Sequence, residues 1–153
     1  QQVFRALIQL AKEVNLPIAI HTREAWQDTL KILEEVGPPA RNGVFHCFGE
    51  GISEAKAALD LGFYISVPGI VTFKKSGNLI PVIETIPIER ILVETDSPFL
   101  APMPHRGKRN EPAFVKFIGE KIAEIKKLPV EEVARVTTEN ARRLFNLSLR
   151  GMK

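Results

Sequence analysis

The sequence has 153 residues, of which 44% are hydrophobic and 25% are charged, a composition typical of a globular domain rather than of a disordered or membrane-spanning chain. Cys47 is the only cysteine, which excludes an internal disulfide and favours a reducing, cytoplasmic location. The net charge of +3 permits an anionic partner without requiring one, because the placement of the basic residues matters more than their sum.

Apolar residues alternate between helical and strand-like spacing along the chain. Short strand-like apolar runs occur at residues 18–21, 43–46, 63–67 and 91–95. Helical stripes precede, separate and follow these runs. Asn110 and Pro112 look like the N-cap and first turn of a helix after the fourth run, and a last helical region follows Pro129.

Short apolar strands that alternate with helices predict an α/β fold with a parallel sheet covered by helices. Four such strands make half of a (β/α)8 TIM-type barrel, which typically has about 250 residues. The first helical stripe has neither a cap nor a preceding strand, so we expect N-terminal strands to be missing. Residues 1–153 are then a single partial domain, the C-terminal portion of a barrel. The rival interpretation is a complete four-strand, doubly wound domain.

Three polar side chains stand where apolar runs end: His21, His46 and Asp96. The C-terminal ends of parallel strands form one edge, so these side chains are expected to converge. Imidazole and carboxylate groups are good ligands for zinc or manganese. Either the three form a metal site, or each histidine only makes hydrogen bonds within its own loop.

Two neighbours of these residues have open interpretations. Glu94 precedes Asp96 by two residues, so both should point the same way from a strand. Glu94 is then either a catalytic group or a buried carboxylate paired with a Lys or Arg. Cys47 should point away from His46, and we interpret it as a packed thiol rather than a ligand.

Residues 105–112 form the densest basic stretch and precede a predicted helix N-terminus, which suits a phosphate group. Arg106 and Lys108 are the candidate phosphate-binding residues there. Arg23 follows His21 by two residues and should lie on the same edge. The alternative for the stretch is an ordinary solvated loop.

Several segments resemble the TatD family of metal-dependent hydrolases, in order and over nearly the whole chain. The most specific is Leu-Val-Glu-Thr-Asp-Ser-Pro-Phe-Leu-Ala-Pro at residues 92–102, which continues through residues 106–112. The segments that resemble the family's fifth strand, sixth strand, the stretch after its seventh strand and its closing helix are residues 16–25, 43–48, 66–74 and 137–145.

The resemblance implies a distorted (β/α)8 barrel with a dinuclear metal centre. It implies that His21 and His46 bind one ion, and that Asp96 binds the other and acts on the attacking water. The family's remaining ligands, a His-x-His pair and a bridging Glu, have no counterpart here, where His105 is the only other histidine. The chain also has Gly49-Glu50 where the family usually has Ser-Gly, which puts that loop in doubt.

The implied activity is metal-dependent cleavage of DNA phosphodiester bonds with two divalent ions (Zn, Mn or Mg) and no membrane partner. Arg23, Arg106 and Lys108 would bind flanking phosphates. The alternatives are a D-aminoacyl-tRNA deacylase on the same scaffold and a metal-free half barrel that serves as a binding module. We expect these residues alone to be weakly active, and the open sheet edges to allow self-association.

Overall fold

The computed structural model describes residues 1–147, which form one sheet and its surrounding helices. The strands are β1 (Ile18–His21), β2 (Gly43–His46), β3 (Tyr64–Val67) and β4 (Ile91–Val93). The α-helices are α1 (Gln2–Glu13), α2 (Trp26–Val36), α3 (Ile52–Asp60), α4 (Leu79–Thr85), α5 (Val115–Lys126) and α6 (Val130–Phe145). Short 3₁₀ helices cover Gly69–Thr72, Ile88–Arg90 and Pro112–Phe114. None of the helices within residues 1–147 is long and apolar enough to cross a bilayer.

The four strands are parallel and lie side by side in chain order, β1-β2-β3-β4. A doubly wound sheet reverses its strand order at a switch point, and the strands of the described part of the chain show no such reversal. The predicted α/β fold with four parallel strands is therefore confirmed, and the doubly wound interpretation is wrong. That the sheet is one half of an eight-stranded barrel stays a prediction.

One face of the sheet carries the main core. Ile20, Phe45, Ile65 and Ile91 alternate along their strands with residues of the other face. They are at most 6% exposed and pack against the helices. Strand β2 begins at Gly43, where a Cβ would lie 2.1 Å from the Ile18 carbonyl oxygen, so β1 and β2 approach too closely there for any larger residue.

The second face of the sheet is packed against α6. Leu144 packs there against Val44, Tyr64 and Leu92. Asn140 is 1% exposed, and its Nδ2 donates to the carbonyl oxygens of Ile88 and Ile91 at 2.9 and 2.8 Å. These bonds fix the helix beside the beginning of β4.

An apolar groove of about 330 Å³ lies along α1 and β1. Leu7 and Leu10 of α1, and Val14 and Leu16 between the two elements, line it and are each at least 50% exposed. Strand β1 is thus an edge strand of the described sheet with apolar side chains beside it. The self-association expected from open sheet edges stays a prediction.

Candidate active site

His21 and His46 end adjacent strands and lie side by side. Their Cα atoms are register partners of β1 and β2, and their ring centroids are 5.7 Å apart at a tilt of 52°. The parallel pairing therefore brings together two imidazoles that are distant in sequence, as the strand-end argument predicted.

Asp96 joins them from the segment just after β4. That strand ends at Val93, earlier than predicted, and the chain turns at Asp96, whose φ is +56°. Aspartate tolerates this left-handed conformation better than most residues. The turn places Asp96 Oδ1 3.6 Å from His46 Nε2, so His21, His46 and Asp96 do lie at one edge of the sheet.

Glu94 contacts the other nitrogen of the same ring. His46 Nδ1 and Glu94 Oε2 are 2.7 Å apart, and Ser66 Oγ donates to the same oxygen at 2.7 Å. The Glu94 side chain is 16% exposed. No Lys or Arg among residues 1–147 forms an ion pair with it, so the interpretation of Glu94 as the partner of a basic residue is wrong.

The second oxygen of Glu94 has no partner within the described chain. Its Oε1 is buried and accepts no hydrogen bond. Glu94 lines a cavity of about 250 Å³ on the second face of the sheet, together with His46, Ser66 and Phe145. A buried oxygen without a donor is uncommon in folded proteins and is often found at functional sites.

The arrangement fits part of a metal site. Two ligands of a tetrahedral zinc ion, each about 2.1 Å from the metal, are about 3.4 Å apart, close to the 3.6 Å between His46 Nε2 and Asp96 Oδ1. A full ligand set is not assembled, because within residues 1–147 no three His, Cys, Asp or Glu side chains are placed to hold an ion together.

Cys47 is half-buried beside these carboxylates. Burial, with the nearby charges of Glu94 and Asp96, raises the pKa of its thiol to about 11. Only the thiolate is an effective metal ligand, so this environment agrees with a packed thiol.

The loop between Asp96 and α5 is held by Asn110. Its side chain is buried, and Nδ2 donates to the carbonyl oxygens of Thr95 and Phe99 at 2.6 and 2.5 Å. The predicted N-cap role of Asn110 is wrong, because Pro112 opens a 3₁₀ helix and α5 begins only at Val115. Asn110 instead links the end of this loop to its beginning, next to Asp96.

The predicted phosphate-binding residues have different surroundings. The guanidinium of Arg106 stands 4.3 Å from the centroid of the Phe73 ring, and Lys108 is exposed. Arg23 lines a cleft of about 610 Å³ that also contains Glu24, Asp28 and Glu50. Arg23 therefore has acidic neighbours, which disfavour a phosphate beside it.

Sequence reasoning missed Ser66 and the true role of Asn110. Ser66 is 4% exposed in a strand whose other residues are apolar or aromatic. A single serine in an otherwise apolar or aromatic buried strand indicates that its hydroxyl has a polar partner on the same face of the sheet. Asn110 gave no separate signal, since an asparagine shortly before a proline is typical of a helix start.

A family model described as TatD related DNase matches residues 1–146. The chain is 50% identical to YabD of Bacillus subtilis, an uncharacterized metal-dependent hydrolase, over 97% of this chain and 58% of YabD. It is also 50% identical to the uncharacterized metal-dependent hydrolase YcfH of Escherichia coli K12, over 96% of this chain and 56% of YcfH. The chain thus spans little more than half the length of these relatives.

Solved structures agree with this relationship. The crystal structure of YjjV, a TatD homologue from Escherichia coli K12, matches with a TM-score of 0.86 and 28% identity over 92% of this chain and 54% of YjjV. A TatD family hydrolase from Entamoeba histolytica matches with a TM-score of 0.78 and 26% identity over 93% of this chain and 55% of that protein. The chain belongs to the TatD-related DNase family of metal-dependent hydrolases.

Proposed function

We propose that this chain supplies part of the active site of a hydrolase that cleaves phosphodiester bonds in DNA. The observation that carries the proposal is the position of His46, whose Nδ1 is bound by Glu94 and whose Nε2 faces Asp96. An imidazole oriented by a carboxylate on one side is typical of a metal ligand on the other. The description of the matching family, TatD related DNase, supports DNA as the substrate.

His46 and Asp96 are the residues of this chain best placed to hold a divalent ion, and His21 adds a neighbouring imidazole. Two divalent ions (Zn, Mn or Mg) would lower the pKa of a bound water and offset the charge of the phosphate. Within the protein, the backbone turn at Asp96 is held by the Phe99 N–H, which donates to the Asp96 carbonyl oxygen at 2.9 Å. Asp96 is thereby positioned to orient the attacking water and accept its proton.

Arg106 and Lys108 are proposed to bind phosphates that flank the scissile bond. Stacking of the Arg106 guanidinium on Phe73 leaves its edge N–H groups free to donate to phosphate oxygens. Arg23 is proposed for the same role, although the three acidic residues of its cleft oppose an anion there. Phosphate contacts carry no base information, so cleavage is expected to be largely independent of sequence.

The test is manganese- and magnesium-dependent cleavage of DNA by the purified protein. It is measured on this chain and on the chain extended upstream to the length of its relatives. We expect weak activity in the first and stronger activity in the second, and in both a loss with His46→Ala or Asp96→Asn. Glu120→Gln is the matched control, because Glu120 is exposed on α5 and is neither a proposed metal ligand nor a proposed phosphate-binding residue.

The outcomes separate the alternative functions. D-aminoacyl-tRNA is offered in parallel with DNA, and hydrolysis of its ester without DNA cleavage would replace DNA as the substrate. Absence of bound metal in the extended protein, measured by elemental analysis, would instead favour a metal-free binding module. DNA cleavage that is unchanged by both site substitutions would refute the proposed active site.

A further inference from the structure

We propose that Glu94 is a positioning residue, which with Ser66 holds His46 in one tautomer, protonated at Nδ1 and with the lone pair of Nε2 directed toward Asp96. The inference rests on the proposed function for its purpose, since it assigns to this carboxylate the orientation of a metal-binding imidazole. Its geometry stands independently of which substrate the enzyme cleaves.

The Glu94–His46 contact determines which nitrogen of the ring carries a proton. A carboxylate can only accept hydrogen bonds, and a neutral imidazole carries a proton on one nitrogen only. At 2.7 Å from Glu94 Oε2, Nδ1 must be the nitrogen that carries the proton. Nε2 is then left as the acceptor, which is the form able to bind a metal ion.

Glu94 also contacts the neighbouring strand β3. Ser66 is 4% exposed and donates its hydroxyl to the oxygen that contacts His46. The backbone N–H of Glu94 donates to the Val67 carbonyl oxygen at 3.2 Å, which continues the ladder of β3 and β4 by one bond. The backbone of Glu94 is thus tied to β3, and its carboxylate has a partner on that strand in addition to His46.

The two ring nitrogens of His46 have different surroundings. Nε2 lies 3.6 Å from Asp96 Oδ1, which is longer than a hydrogen bond, whereas Nδ1 is in close contact with Glu94. Glu94 Oε1 is moreover buried without a donor among residues 1–147, an arrangement that costs free energy. A carboxylate kept at such a cost is better explained by the orientation of His46 than by fold stability.

The test reads the tautomer directly. Long-range ¹H–¹⁵N NMR spectra of the metal-free protein report which ring nitrogen is protonated, and the sequence has only three histidines to assign. We expect His46 to be protonated at Nδ1. In Glu94→Gln the amide can donate as well as accept, so a measurable population protonated at Nε2 should appear. A wild-type His46 protonated at Nε2 would overturn the proposal.

Metal affinity gives the second readout. Competition of the protein with a chelating dye for zinc or manganese is expected to show affinity about 10- to 100-fold weaker in Glu94→Gln, as for other residues that orient a ligand. Ser66→Ala should weaken it by a smaller factor, because the Glu94–His46 contact remains. Glu120→Gln is the control and should match wild type. Equal affinity of Glu94→Gln and wild type would contradict the positioning role.

The two proposals fail separately. If Glu94→Gln changes the tautomer and the affinity but the wild type cleaves no DNA, the proposed substrate is wrong and the positioning role stands. If DNA is cleaved and the tautomer is unchanged in Glu94→Gln, only the positioning role is wrong. Should Glu94→Gln not fold, as judged by circular dichroism, the wild-type tautomer and Ser66→Ala still decide the question.

Discussion

Asn110 is expected to be the polar residue whose loss most disturbs the active-site loop. Its side chain is 2% exposed and makes three hydrogen bonds. Nδ2 donates to the Thr95 and Phe99 carbonyl oxygens, and Oδ1 accepts from the Glu111 N–H at 2.9 Å. At about 1 kcal/mol for each bond, Asn110→Ala should lower the free energy of unfolding by about 3 kcal/mol. Asn110→Asp should cost at least as much, because a carboxylate would face two carbonyl oxygens.

Urea unfolding followed by circular dichroism measures this loss. With a denaturant slope of about 2 kcal/mol per molar urea, the midpoint should fall by about 1.5 M for Asn110→Ala. Asn78→Ala is the control, since Asn78 is exposed at the start of α4 and makes no capping bond; it should change stability by less than about 0.5 kcal/mol. A loss below about 1 kcal/mol for Asn110→Ala would refute the view that Asn110 holds the loop closed.

Three further expectations concern the same loop and its surroundings. Arg106→Ala and Lys108→Ala should each lower the salt dependence of duplex DNA binding. The slope of log K against log salt should fall by about 0.9 for each phosphate that is no longer neutralised. An unchanged slope would mean that the loop is only solvated and binds no phosphate. A Cβ at Gly69 would lie 2.3 Å from the Leu100 carbonyl oxygen, so Gly69→Ala should lower the free energy of unfolding by about 1–3 kcal/mol. An unchanged urea midpoint would show that the segments carrying Gly69 and Leu100 can move apart without cost. Gly119 has open space around it within α5, so Gly119→Ala should stabilise the protein by about 0.5–1 kcal/mol and raise the urea midpoint. A lower midpoint would show that the added methyl group clashes with its surroundings.

The strands were the most predictable part of the fold. Strands β1 and β2 cover the predicted residues because each apolar run is preceded by a residue that disfavours a strand, Pro17 before β1 and Asn42 before β2. The end of β4 was not predictable in the same way. Residues 94 and 95 continue an extended pattern in the sequence, and only the turn at Asp96, with its positive φ, shows where the strand stops.

The convergence of His21 and His46 was predictable for a general reason. Parallel strands end at one edge of a sheet, so polar residues that follow apolar runs meet there regardless of their separation in sequence. The role of Asn110 was not predictable, because its two acceptors are backbone carbonyls of Thr95 and Phe99. Backbone groups have no signature in the sequence, and only the path of the loop decides which side chain reaches them.

The contact between Glu94 and His46 requires a feature that no single segment of sequence displays. Strands β2 and β4 are not neighbours, and β3 lies between them, so their backbones are about 9–10 Å apart at the usual spacing of strands. A glutamate and a histidine can span that distance only if the side chain between them is small. Ser66 occupies this position. Its small side chain leaves room for the contact, and its hydroxyl donates to Glu94. The identity of residue 66 therefore matters for the site as much as that of the residues it separates, and its importance becomes visible only when three strands are seen side by side.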